Sequence, residues 1–450
     1  MSTFAPALSR YLLRRAAVAI AALALFAAPA LATTIERVVS DGGIEAWLVH
    51  EPAVPLIAVD FAFVGGAVQD PPGKVGTANL VAALLDEGAG DIDSKTFHAR
   101  LEREAIELGF AADRDTLRGT LRTLTENRDE AFEDLRVALA SPRFDPVDVE
   151  INRAQIVSAL RRATTSPTEI ANLRWWQAAF IDHPYGRPVA GTLESLPTIT
   201  IDDLKGYTHR ALARANLKVA VVGDIDAETV KKMLDRVFGA LPAQPELALV
   251  AAVAPQGLGR RIVVKLDVPQ AVVTFGGPGI ARKDPDFMAA YIVNHILGGG
   301  AFSSRLYQEV REKRGLAYSV SDSLIWLDHT ALFLGGTATR ADRTGETLDL
   351  IEKEIHRLAE DGPTADELAK AKAYLNSSFA LSLDTSSKIA VLLVQLQLDG
   401  LGIDYFTRRP QMINAVTLDD AKRVAKRLLD GGLLVTVVGR PEGLVSTTAD

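Results

Sequence analysis

Two periods of hydrophobic and polar positions interleave along this chain, and they do so twice in the same order. Residues 57–64 (IAVDFAFV) read as a buried strand that stops at Gly65-Gly66. Helical spacing follows over about 76–86 and over 96–108, where Phe97, Leu101 and Ala105 recur every four residues. Residues 117–124 predict a strand, 128–140, 146–164 and 200–213 predict helices, and 217–222 (LKVAVV) a strand. The second half repeats the sequence of elements: strand 270–276, helices 284–297 and 303–313, strands 316–326 and 331–337, helices 345–358 and 364–377, and a closing strand 433–438. Each half ends on the same Val-x-Val-Val-Gly string, at 219–223 and 435–439. Between them, residues 241–259 are Pro- and Ala-rich without a period and read as a linker. Strands mingled with helices, duplicated, predict an α+β protein of two homologous domains, 33–240 and 260–450, each a mostly antiparallel or mixed sheet flanked by helices.

The first residues stand outside this pattern. Arg10, Arg14 and Arg15 precede an unbroken apolar run over 16–28, then Pro29 and the small-x-small string Ala30-Leu31-Ala32. That is the build of a signal peptide, 1–32, cleaved after Ala32. The run is short for a span of about 20 residues, so an anchor fits less well. No other apolar stretch reaches spanning length without charges, so the mature chain is expected to be soluble. Cleavage removes three arginines and no acid, taking the net charge from −8 to −11.

Composition narrows the chemistry. With 48% hydrophobic and 24% charged residues the chain is neither disordered nor fibrous. Its 57 acids against 49 bases argue against a nucleic-acid binder, which needs a basic face. Cysteine is absent, which excludes disulfides, thiol nucleophiles and Cys-based zinc sites. An exported, acidic, cysteine-free protein fits a periplasm.

Residues 76–88 run Gly-Thr-Ala-Asn-Leu-Val-Ala-Ala-Leu-Leu-Asp-Glu-Gly. The string resembles the first helix of the pitrilysin/insulinase family of zinc metallopeptidases, which includes the mitochondrial processing peptidases. The family helix reads Gly-x-Ala-His-x-x-Glu-His-x-Leu-x-x-Gly, with two His on one face for zinc and a Glu between them as base. Here Asn79 and Ala83 stand where the resemblance puts the two His, and Ala82 where it puts the Glu. The family's third ligand, a Glu roughly 76 residues on, falls at Ala159, and the position one face-turn earlier is Asn152. Flanking glycines and leucines persist while every ligand is gone, so no metal is expected in this chain. The seven His (His50, His98, His183, His209, His295, His329, His356) include no pair at i, i+3 or i, i+4. Asp86 and Glu87 read as the acidic end of an exposed turn. The resemblance continues through His183-Pro184-Tyr185-Gly186-Arg187-Pro188, which by itself is only a turn between helices.

Residues 297–320, LGGGAFSSRLYQEVREKRGLAYSV, predict a Gly turn, an N-cap at Ser303 or Ser304, a helix, a stop at Gly315 and a strand with Leu316, Tyr318 and Val320 on one face. The glycines lack the spacing of a phosphate or dinucleotide loop. On their own, Arg311 is a solvated charge at a helix end and Tyr318 a core residue. In the family this block carries an Arg and a Tyr seven residues apart that hold the substrate peptide and its carbonyl, and the matching residues are Arg311 and Tyr318. The resemblance therefore implies a bacterial subunit of the non-catalytic type, which keeps the Arg/Tyr pair for substrate binding. It would partner a zinc-bearing sister subunit with His-x-x-Glu-His, act on peptides in the periplasm and hold no cofactor itself, the zinc being in the partner. The alternative is a peptide-binding or scaffold protein of the same fold with no proteolytic role.

Overall fold

The computed structural model describes residues 34–444 and 446–447; the expected export segment lies outside the described residues. The first half contains strands β1 (Glu36–Val39), β2 (Glu45–His50), β3 (Leu56–Val64), the short β4 (Gly88–Ala89) and β5 (Ile92–Asp93), β6 (Glu107–Ala112), β7 (Thr116–Leu124) and β8 (Leu217–Gly223). Its helices are α1 (Thr77–Ala82), α2 (Ser94–Arg103), α3 (Arg128–Ala140), α4 (Pro146–Ala163), α5 (Pro167–Ala179), α6 (Ile201–Ala211) and α7 (Ala227–Phe238). The second half has strands β9 (Arg261–Lys265), β10 (Gln270–Pro278), β11 (Ala317–Leu327), β12 (Thr330–Arg340) and β13 (Leu434–Gly439). Helices α8 (Phe287–Asn294), α9 (Thr344–Asp361), α10 (Ala365–Leu381), α11 (Ser386–Leu398), α12 (Tyr405–Ala415) and α13 (Leu418–Leu429) complete it. Among the described residues no helix is long and apolar enough to cross a membrane.

The two sheets repeat one topology. The first is ordered β1-β2-β8-β3-β7-β6 and the second, read from its other edge, β9-β13-β10-β12-β11. In each, the closing strand runs parallel to one neighbour (β8 to β2, β13 to β9) and antiparallel to the other (β3 and β10). The repeat extends to single side chains. Phe61 of β3 lies opposite Gly119 of β7, and Phe275 of β10 opposite Gly335 of β12. A Cβ on Gly119 would stand 2.1 Å from the Phe61 ring, and one on Gly335 2.5 Å from Phe275. Each ring occupies the space that a missing side chain leaves. The shared terminal glycines have a backbone reason: Gly223 and Gly439 sit at φ 142° and 150°, a region that side-chain-bearing residues avoid.

The halves are not independent. Helix α5 of the first half packs on β10 and β13, and α11 of the second half packs on β3 and β8. This reciprocal exchange buries β3 and β8 on both faces, so they read as continuous apolar runs rather than alternating ones. The fully buried Trp175 donates Nε1–H to the Leu434 carbonyl at 3.0 Å, and Gln397 donates Nε2–H to Val219 O at 2.8 Å. Trp47, Ala62 and Val222 of the first sheet share one core with Leu393 and Val394 of α11. The equivalent β6–β7 and β11–β12 turns meet as well. Tyr185 Oη donates to the Asp115 carboxylate (2.8 and 2.9 Å), Asp328 N donates to Asp115 Oδ2 (2.9 Å), and His329 N donates to Tyr185 Oη (3.0 Å). The 183–188 turn is thus the pin of this joint. Residues 241–259 are irregular, as expected, and are stitched to both halves through Ala248 N–Gln69 Oε1 (2.8 Å), Gln256 N–Ala179 O (2.8 Å) and Val253 N–His329 O (2.9 Å).

Several expected elements change. The helix predicted over 76–86 is helical only over Thr77–Ala82. The helix predicted over 96–108 ends at Arg103; Ala105 takes φ 50° and Leu108 joins β6. The four-residue recurrence therefore overran a turn that positive φ at Ala105 enforces. Helices α5, α7, α11, α12 and α13 and strands β1, β2 and β9 arise where no element was expected.

Candidate functional site

Helix α1 begins at Gly76, in the left-handed region, where its Cα packs so near Gly191 that a Cβ would lie 2.8 Å from the Gly191 Cα. The Asp70 carboxylate accepts from Gly76 N (2.7 Å) and Ala78 N (2.8 Å) at the helix start. Burial pushes the Asp70 carboxyl up to about 6, against these hydrogen bonds. Asn79 and Ala83 lie one turn apart on the half-buried face, and Ala82 is buried. Glu87 closes a local network: Ser94 Oγ donates to it, His98 Nε2 lies 3.3 Å away, and Asn152 bonds it from α4. Burial raises the Glu87 carboxyl, but these hydrogen bonds outweigh it and leave it below its ordinary value. Asp86 is raised to about 6 by burial. Of the two positions considered for a third ligand, Asn152 is buried and faces this network, whereas Ala159 is exposed farther along α4.

Catalytic zinc does not fit here. It needs three protein donors converging on an open tetrahedral site. The face offers one carboxamide, two methyl groups and an acid already tied to a hydroxyl, an amide and an imidazole. Among the described residues no three His, Asp or Glu side chains are grouped to hold a metal ion. Asp86 and Glu87 are half-buried rather than an exposed acidic end, because the chain turns them back against α2 and α4.

The second site is the corner after 305–312. This helix is capped by Ser304 and widens into a π-helical turn over Tyr307–Glu312 before Gly315 (φ 60°) stops it, as expected. Strand β11 follows with an irregular register between Ala317 and Val320. That irregularity overturns one expectation. Tyr318 does not share a buried face with Leu316 and Val320; those two are buried, and Tyr318 is 82% exposed. The turned-out ring meets Arg311. The guanidinium carbon lies 4.9 Å from the Tyr318 ring centroid and 4.8 Å from that of Tyr307, which is buried beneath it. Lys313 and Arg314 are both held by Glu309. Arg311 has only Glu312 at 4.0 Å, and its N–H groups meet no hydrogen-bond acceptor among the described residues. A cation held against aromatic rings keeps its edge donors open to a planar acceptor. Sequence reasoning missed Tyr307, although its four-residue spacing from Arg311 on one helical face was available.

Comparison with known proteins bears on the fold and on the missing zinc set. The peptidase M16 inactive-domain family matches residues 198–375. The non-peptidase homologue YmxG of Helicobacter pylori is 29% identical over 335 residues, covering 74% of this chain and 77% of that protein. An uncharacterized zinc protease of Streptomyces coelicolor is 26% identical over 415 residues, 90% of each chain. The crystal structure of a peptidase M16 inactive domain from Pseudomonas fluorescens has a TM-score of 0.85 at 26% identity, over 92% of this chain and 99% of that one. With no zinc-binding set on α1 and the fold matched over nine-tenths of its length, this chain is similar to inactive-type members of the M16 peptidase family, of the pitrilysin/insulinase kind.

Proposed function

We propose that the chain is the non-catalytic, substrate-binding subunit of a heteromeric periplasmic zinc metallopeptidase that degrades or processes peptides. One observation carries the reading: the metal-ligand positions of α1 hold Asn79, Ala82 and Ala83, while Arg311 and Tyr318 stand stacked and unspent on an accessible corner. A sister chain with an intact His-x-x-Glu-His helix would bring the zinc, and this chain would hold none. Arg311 and Tyr318 would bind the substrate backbone and donate hydrogen bonds to the carbonyl oxygen as it gains charge. Removing one such donor typically lowers turnover by about 10²-fold. Export would leave a mature chain beginning at Thr33.

The test reconstitutes the periplasmic chain with its sister subunit. Intact mass should show loss of residues 1–32, and elemental analysis should find no stoichiometric zinc in the isolated chain. Tyr318→Phe and Arg311→Ala should each lower peptide turnover roughly 10²-fold with partner affinity unchanged. Turnover at the wild-type rate in both variants would overturn the assignment and favour a scaffold with no proteolytic role.

A further inference from the structure

Where the two equivalent hairpin turns meet, the halves flank an open cleft of about 500 Å³. Its acids are mostly spent. Asp113 accepts from Asp115 N, Thr116 N and Thr116 Oγ1, and Asp115 from Tyr185 and Asp328 N. Asp399 accepts from Trp326, Gln395 and Arg282. Two cations are not spent. Arg114 lies face-on over Trp176, 3.6 Å from the ring centroid, and donates only Nε–H, to the Tyr185 carbonyl at 3.3 Å. Its two terminal nitrogens meet no acceptor among the described residues, although burial is deep enough to pull the guanidinium down to about 10. Lys283, across the cleft, makes no ion pair or hydrogen bond among the described residues, and at the rim the Asp328 carboxylate is likewise without a hydrogen bond. Two indoles line it: Trp176 of the first half, sandwiched between Arg114 and Phe180, and Trp326 of the second, which offers the aromatic wall.

Open cations, one open carboxylate and an aromatic wall in one cleft are complementary to a molecule that carries both charges and an apolar body. We propose that this cleft binds a short peptide as its zwitterion, with the carboxylate on Arg114 and Lys283, the ammonium on Asp328 and an apolar side chain against Trp326. The ligand would span residues from both halves and so join them. A free peptide end, rather than the interior of a chain, is what the site selects. The inference stands on this cleft alone and is independent of the reading of Arg311 and Tyr318.

Isothermal titration of the full mature chain with the dipeptide Ala-Phe tests it. Ala-Phe should bind, and its C-terminal amide and its N-acetyl form should each bind roughly tenfold or more weakly, the value of a hydrogen bond to a charged group. Arg114→Gln should weaken Ala-Phe to a similar degree. Because Arg114 also supports the Tyr185 backbone, Lys283→Gln serves as the second variant: its side chain is exposed, and its loss leaves the fold untouched while weakening binding severalfold. Tyr318→Phe should bind Ala-Phe as wild type does. The proposal fails if Ala-Phe does not bind, if the amide binds equally well, or if Lys283→Gln and a natively folded Arg114→Gln both keep wild-type affinity.

Discussion

Trp175 tests whether the exchanged helices hold the two halves together. Its indole is fully buried on α5, yet the sheet that it covers belongs to the other half. It is edge-on to Trp176 and Phe180 (5.7 and 6.4 Å between centroids), and its Cζ2 sits where a Cβ on Gly276 would lie 3.0 Å away. Truncation to Ala removes this packing and leaves a cavity, a change that costs about 3–5 kcal/mol for a buried aromatic. Within that sum, the lost bond to the Leu434 carbonyl accounts for about 1 kcal/mol. Trp175→Phe keeps most of the buried ring and loses the donor, so it should cost only about 1–2 kcal/mol. Urea unfolding of the full chain, followed by far-UV circular dichroism, measures both. Proteolysis within 241–259 supplies an independent readout, because that strap is tied to both halves. Wild type should unfold in one transition; Trp175→Ala should lower the midpoint, split the transition and expose the strap. If Trp175→Ala lay within about 1 kcal/mol of wild type, as surface substitutions do, the exchange would not be a joint.

Gly119→Ala should destabilise by about 1–3 kcal/mol, the cost of overpacking a filled core, since its Cβ would fall on the Phe61 ring; equal Tm values for variant and wild type would refute the ring-over-glycine account. Asp322 is buried, with Oδ1 accepting from Asn294 (2.8 Å) and Oδ2 without a partner, and burial raises its carboxyl well above 3.8. An acid with a raised folded pKa carries no penalty below its unfolded value and loses stability as pH rises through the folded one. Asp322→Asn removes that titration, so its stability relative to wild type should grow as pH rises above about 4, the unfolded carboxyl value. Parallel stability curves above that pH would contradict it.

The repeat, most of the strands and the lack of metal donors on α1 were determined by the amino-acid sequence alone. Period-2 and four-residue spacings report local sterics that hold wherever an element packs, and Ala82 and Ala83 carry no ligand atom in any fold. Gly315 stopping its helix is a local backbone preference of the same kind. Tertiary structure decided what each element covers. Helices α5 (PTEIANLRWWQAA) and α11 (SSKIAVLLVQLQL) carry apolar residues off their buried faces as well as on them, Leu173 and Val391 being exposed, and this blurred the amphipathic stripe that would have made their period legible. Tyr318 had the alternation of an inward residue until the irregular register of β11 against β12 turned it out onto Arg311, a displacement set by pairing with a neighbouring strand. Asn152 and Ala159 lie on one helix, and only the placement of α4 against α2 decides which faces Glu87. The seam cleft brings Arg114 and Trp176 to Trp326 and Lys283, more than a hundred residues apart in sequence. Such neighbours are chosen by how two sheets dock, which no local spacing encodes.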